Sequence, residues 1–153
     1  MTNIIDAQQR QLAIEPHASY LVQAPAGSGK TELLIQRILA LLATVEHPEE
    51  ILALTFTRKA AAEMRERVLL ALKNARLPKP KETHAQTTWL LASKVLKQSD
   101  KKGWRLTLYP AQLRIMTIDA FASGLARQLP ILSGFGQAPA TADFCEPLYQ
   151  SAV

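Results

Sequence analysis

The stretch APAGSGKTEL, Ala24–Leu33, sets the fold of this chain. It places Ala26, Gly27, Ser28 and Gly29, followed by Lys30 and Thr31, between an apolar run (SYLVQA, Ser19–Ala24) and an amphipathic run (Thr31–Thr44). Small residues at a strand-to-helix turn let successive backbone N–H groups curl around an anion, and the positive end of the helix dipole adds to that field. The pattern of a phosphate-binding loop is a glycine, four free positions, then Gly-Lys and Ser or Thr. Gly29, Lys30 and Thr31 fit it, and Ala24 stands where the first glycine usually does. In such a loop the lysine reaches the terminal phosphates of a nucleotide and the hydroxyl of Thr31 ligates Mg²⁺.

Working outward, Asp6 is placed to cap a short helix carrying Gln8, Gln9, Leu12 and Ala13, which Pro16 ends. SYLVQA is rich in strand formers and bounded by Pro25 and Gly27, so it predicts a strand. The helix Thr31–Thr44 follows, with Leu34, Ile38, Leu41 and Leu42 expected on one face, and Arg37 read as a solvated helix arginine. ILALTF (Ile51–Phe56) reads as a nearly continuous buried strand, and Arg58–Arg76 as a long helix with Ala61, Met64, Val68 and Leu72 inward. RLPKPKE (Arg76–Glu82) breaks that helix, and a helical segment with Trp89, Leu90, Val95 and Leu96 leads to a turn at SDKKG. LRIMTI (Leu113–Ile118) predicts a third strand feeding a helix Asp119–Gln128, and the chain after Pro130 reads as loop. Strands alternating with helices predict an α/β fold, a parallel sheet flanked by helices, and the glycine-rich loop makes it a phosphate-loop nucleoside triphosphatase domain. The expected division is 1–76, a helical insertion over 77–112, a return to the sheet over 113–130, and a loop over 131–153.

The bulk numbers suit this. At 153 residues, 48% hydrophobic and 20% charged, the chain has one domain's length and an ordinary globular composition. No apolar run approaches the roughly 20 residues of a membrane span, and MTNIIDAQQRQ has neither the basic start nor the apolar core of a secretory signal, which points to the cytoplasm. The single cysteine, Cys145, allows no internal disulfide. A net charge of +5 favours a polyanionic partner where it is concentrated, with small clusters at Lys79–Lys81 and Lys101–Lys102. His17, His47 and His84 have no metal-ligand spacing.

Three further segments carry a resemblance. LALTFTRKAAAEMRERV (Leu52–Val68), with Thr-Phe-Thr, a basic pair and an alanine-rich helix, is similar to motif Ia of superfamily 1 helicases of the UvrD/Rep and RecB/AddA type. MTIDAF (Met116–Phe121) resembles their motif Ib, with aspartate at position 119 where the family more often has histidine. Gln9 and Arg10, with Gln9 lying 21 residues before Lys30, resemble their Q motif, which recognises adenine. LARQLPILSGFG leans toward the RecB/AddA-like branch. The resemblance implies that Gln9 holds the adenine edge and that Ala26, Gly27, Ser28, Gly29, Lys30 and Thr31 hold the phosphates and Mg²⁺ of ATP. It implies that Thr55, Phe56, Thr57, Lys59 and Thr117 lie on single-stranded DNA. An aromatic at a strand end suits base stacking, worth about 1–3 kcal/mol, and hydroxyls and a lysine suit phosphates. A core position is the alternative for Phe56, helix capping is expected of Asp119, and packing is expected of Trp89 and Trp104.

Members of this family carry an Asp-Glu motif and a second motor domain after motif Ib, and no Asp-Glu pair occurs in this chain. The expectation is the ATP-binding amino-terminal portion of an ATP-dependent DNA helicase or helicase–nuclease, inactive by itself. Its partners would be single-stranded DNA, the remainder of the helicase and a partner subunit, with no membrane. The alternatives are a small phosphoryl-transfer enzyme, or a non-catalytic module that binds nucleic acid or a partner.

Overall fold

Thr57 is extended (φ −119°, ψ 144°), and its hydroxyl accepts from the Ala60 N–H at 3.1 Å. That bond satisfies one of the N–H groups a helix start leaves over and opens helix α3, Arg58–Asn74. In this computed structural model, which describes residues 6–129, the strand before α3 is β1, Leu52–Thr55. It pairs in parallel with β2, Arg114–Thr117, in a register running from Leu52 opposite Arg114 to Thr55 opposite Thr117. The remaining helices are α1 (Ala7–Ile14), α2 (Lys30–Leu42), α4 (Thr83–Lys102) and α5 (Ile118–Gln128), with short 3-10 turns at Pro48–Glu50 and Pro110–Gln112. The architecture is α/β, a small two-stranded parallel sheet flanked by helices.

The core lies between α2, α3 and α4. Ile35, Leu39 and Leu42 from α2 meet Val68 and Leu72 from α3 and Ala92 and Val95 from α4, and Trp104, Leu106, Leu113 and Ile115 close the cluster. Full burial of each large aliphatic side chain is worth about 1.5–3 kcal/mol, so this cluster holds the helices on one another. Polar ties finish the edges. Trp104 Nε1 donates to the Glu46 carbonyl at 3.1 Å, Gln98 to the Val45 carbonyl at 2.9 Å, and Arg65 to the Ile115 carbonyl at 2.5 Å, the last fixing α3 to β2. Gly103, in the left-handed region at φ 72°, ends α4.

Residues up to Thr117 form one compact unit, and α5 belongs to a second. Taken by itself, α5 is amphipathic, leaving Ile118, Leu125 and Leu129 just beyond it exposed.

Several sequence expectations are corrected. Ser19–Ala24 is not hydrogen-bonded into the sheet, and Leu21 is 96% exposed. Strand-forming composition supplies only a tendency, which pairing must complete, and β1 and β2 are the two paired strands among the described residues. For the same reason Ile51–Phe56 is not a buried strand: with one strand neighbour, β1 leaves Leu52 and Leu54 exposed. The buried face of α2 runs through Ile35, Ile38, Leu39 and Leu42, and Leu34 faces out. Asp6 stands at the cap position of α1 but makes no capping bond, because its carboxylate receives Arg10. Asp119 lies within the first turn of α5, where its charge faces the positive helix end, and not at the cap. The turn expected at SDKKG falls on its last residue, Gly103, with Ser99–Lys102 still helical. Arg37 is no solvated residue: it donates to the carbonyls of Ala13 (2.8 Å), Glu15 (2.9 Å) and Ala18 (2.7 Å) and lies 5.2 Å from the Tyr20 ring centre. Trp104 is in the core as expected, and Trp89 donates to the Leu77 carbonyl at 3.0 Å. The expected loop over 131–153 lies outside the described residues.

Candidate functional site

Two glycines shape the loop before α2. Gly27 (φ 76°) and Gly29 (φ 83°) both adopt left-handed backbone that side chains resist, and Gly29 is the residue from which α2 starts. Left-handed residues among right-handed neighbours turn successive N–H groups toward one side, the arrangement that binds anions. The Gly29 carbonyl already accepts the Leu33 N–H at 3.1 Å, so the helix begins directly at the loop. Ala26, Gly27, Gly29 and Thr31 are exposed, and Ser28 and Lys30 are half-buried.

The side chains around the loop are already engaged. Lys30 Nζ donates to the carbonyls of Ala24 and, at 2.6 Å, Pro25, so the ammonium lies folded over the loop's own backbone. Arg10 reaches over from α1 and donates through Nη2 to the Ser28 carbonyl at 2.6 Å, while its Nε donates to Asp6 at 3.0 Å. A Cβ added at Gly29 would come within 3.3 Å of Arg10 Nη1. The bond from Arg10, helped by its charge, holds the Asp6 carboxyl below its ordinary range. Ser28 Oγ is buried with no hydrogen-bond partner among the described residues, an orphan hydroxyl that an oxygen-rich ligand would satisfy.

Gln9, Arg10, Tyr20, Ser28 and Lys30 line one cleft of about 390 Å³, with Leu21 and Val22 adding apolar wall. The fold thus brings together Gln9 and the glycine-rich loop, which lie far apart in sequence. Its lining, which combines a carboxamide, an aromatic ring and apolar side chains with two cations, suits a ligand with a flat apolar part and an anionic part. Sequence reasoning named Asp6, Arg10 and Arg37 without the contacts they make here. The i, i+4 spacing of Asp6 and Arg10 was a legible signal for their pairing, whereas nothing local marks Arg37 as the tie that joins α1 and Tyr20 to α2.

A second group sits at the end of β1. Phe56 is 86% exposed, which removes the core alternative for it, and Lys59 is exposed beside it on the first turn of α3. Thr55 is half-buried. Thr57 is exposed and its hydroxyl accepts the α3 cap bond, and Thr117 is 7% exposed at the end of β2. Among the described residues no three His, Cys, Asp or Glu side chains gather as a metal site, and no helix is long and apolar enough to cross a membrane.

Comparison with known proteins gives a consistent answer. DNA helicase II of Salmonella typhimurium is 48% identical over 65 residues, 42% of this chain and 9% of that protein. UvrD1, an ATP-dependent DNA helicase of Mycobacterium leprae, is 51% identical over 65 residues, 42% of this chain and 8% of that protein. An ATP-dependent helicase/nuclease subunit from Lachnoclostridium phytofermentans is 36% identical over 110 residues, 70% of this chain and 7% of that protein. The chain spans less than a tenth of the length of these curated relatives. No solved structure matches it. The model of the UvrD/REP helicase N-terminal domain matches residues 5–130, a span that takes in the Gln9 segment, the glycine-rich loop and both strands, and the chain belongs to that family.

Proposed function

We propose that this chain is the ATP-binding N-terminal portion of an ATP-dependent DNA helicase or helicase–nuclease, built on a phosphate-loop (RecA-like) nucleoside triphosphatase fold. The observation that carries the reading is the cleft in which Gln9, Ser28 and Lys30 converge beside two left-handed glycines. Gln9 would hold the adenine edge, and Ala26, Gly27, Ser28, Gly29 and Lys30 the phosphates. Thr31 would ligate Mg²⁺. Bound ATP supplies the free energy for movement along a strand, and the role of this chain's residues is to grip and orient it. Lys30 must exchange its present carbonyl partners for phosphate oxygens, which a charge-assisted contact favours. Phe56 and Lys59, with Thr55 behind them, form the face for single-stranded DNA. The match to the helicase/nuclease relative extends over more of this chain than the matches to the two helicases, which favours the helicase–nuclease branch and, with it, a partner subunit.

Calorimetric titration of the chain with Mg·ADP tests the nucleotide site. Saturable binding that Lys30→Met removes is expected; equal binding by both proteins refutes the assignment. Fluorescence anisotropy with a labelled oligothymidylate tests the DNA face, where Phe56→Ala is expected to weaken binding with no change in melting temperature.

A further inference from the structure

Gly29 creates a problem that its neighbour solves. Lacking a Cβ, it leaves the Ser28–Gly29 peptide free to rotate, because the flanking backbone tolerates more than one orientation there. In a trans peptide the carbonyl of one residue and the N–H of the next point in opposite directions. A group that holds the Ser28 carbonyl therefore fixes where the Gly29 N–H points. Arg10 is that group, through Nη2 at 2.6 Å, and it is itself held by Asp6 at 3.0 Å.

We propose that Arg10 is a positioning residue for the phosphate loop, clamping the Ser28 carbonyl so that the Gly29 N–H stays turned toward bound phosphate. The inference rests on the nucleotide-site reading above and deepens it. Arg10 need not touch the ligand: it acts through one peptide plane. Because Arg10 follows Gln9 on α1, the same short helix sets both the residue proposed for the base and the peptide proposed for the phosphates. The left-handed backbone at position 29 already favours glycine, and a Cβ there would in addition come within 3.3 Å of the guanidinium.

The test compares the chain with Arg10→Ala and Asp6→Asn, titrating each with Mg·ADP and with pyrophosphate at 0.05 and 0.5 M KCl. Loss of a clamping hydrogen bond from a charged group is expected to weaken both ligands about tenfold in Arg10→Ala. The factor should persist at high salt, where a mere distant charge is screened beyond about 4 Å. Asp6→Asn gives the sharper sign. Removing a negative charge near an anion site strengthens binding by electrostatics alone, whereas loosening the clamp weakens it, and weakening by about two- to threefold is expected. With selective glycine labelling, the Gly29 amide resonance should move on ADP addition in the unaltered chain and much less in Arg10→Ala. Unchanged affinity in Arg10→Ala, a penalty that vanishes at 0.5 M KCl, or tighter binding by Asp6→Asn overturns the inference and leaves the nucleotide site intact. If the unaltered chain binds neither ligand, the nucleotide reading fails and the inference falls with it. Should Arg10→Ala fail to fold, Asp6→Asn decides alone.

Discussion

Arg37→Ala should release α1 from the body of the protein. The guanidinium donates to three carbonyls, of Ala13, Glu15 and Ala18, and lies over Tyr20. A buried hydrogen bond from a charged donor contributes about 1.5–3 kcal/mol, but water can replace the donor at the more exposed acceptors of Glu15 and Ala18. Contact with the ring contributes about 0.5–1 kcal/mol at a partly exposed site. Together these give a loss of about 3 kcal/mol, borne by the segment that Arg37 holds and not by the α2–α3–α4 core. That is about two powers of ten in the local opening equilibrium. Native-state hydrogen exchange reads it directly: amides of Arg10–Ile14 should exchange about a hundredfold faster, or reach the unprotected limit, while those of Leu39 and Val68 barely change. Arg37→Lys should recover only part of the protection, because an ammonium cannot span three carbonyls as a planar fork does. If α1 protection in Arg37→Ala stays within about threefold of the unaltered chain, the side chain is solvated after all and the tie carries no energy.

The core, the cap and the acid pair give three more tests. Leu39, fully buried, should lose about 2–5 kcal/mol on truncation to alanine, seen as an earlier midpoint in urea at unchanged slope. Thr57→Ala removes the α3 cap and should cost about 1 kcal/mol by the same measurement, whereas a loss below about 0.3 kcal/mol would show the hydroxyl free for another role. Asp6 should titrate below the ordinary 3.8 in a carbon-detected NMR titration and return to it in Arg10→Ala. Its folded value is the lower one, so its contribution to stability is present above pH 3.8 and fades as pH falls through the depressed value.

What the sequence made legible was whatever a few adjacent residues decide. The loop turn follows from Gly27, Gly29 and the helix former after them, and the inward face of α3 from apolar spacing at Ala61, Val68 and Leu72. The exposure of Leu34 escaped because α2 carries apolar residues around most of its circumference, so periodicity cannot choose among the faces that α3 and α4 cover. Ser19–Ala24 and the outward side of β1 escaped for a related reason: whether a strand former pairs or is buried depends on neighbours that its own segment does not contain. The site divides the same way. Lys30 and Thr31 are marked by motif and Gln9 by its likeness to the Q motif, but the bond from Arg10 to the Ser28 carbonyl and the tie of Arg37 to the end of α1 join residues far apart in sequence that no local pattern links.

The segment 77–112 looks in sequence like a detour that could be spliced out, yet α4 lends Ala92 and Val95 to the middle of the packing, and Trp104 and Leu106 seal it. Shortening the chain by joining the end of α3 to β2 would therefore not yield a leaner nucleotide module. It would strip α4 and its seal from the inner surface of α2 and leave the helix that carries the glycine-rich loop only α1 and α3 to lean on, so this stretch behaves as a keystone, and variation within it is open only on its solvent side.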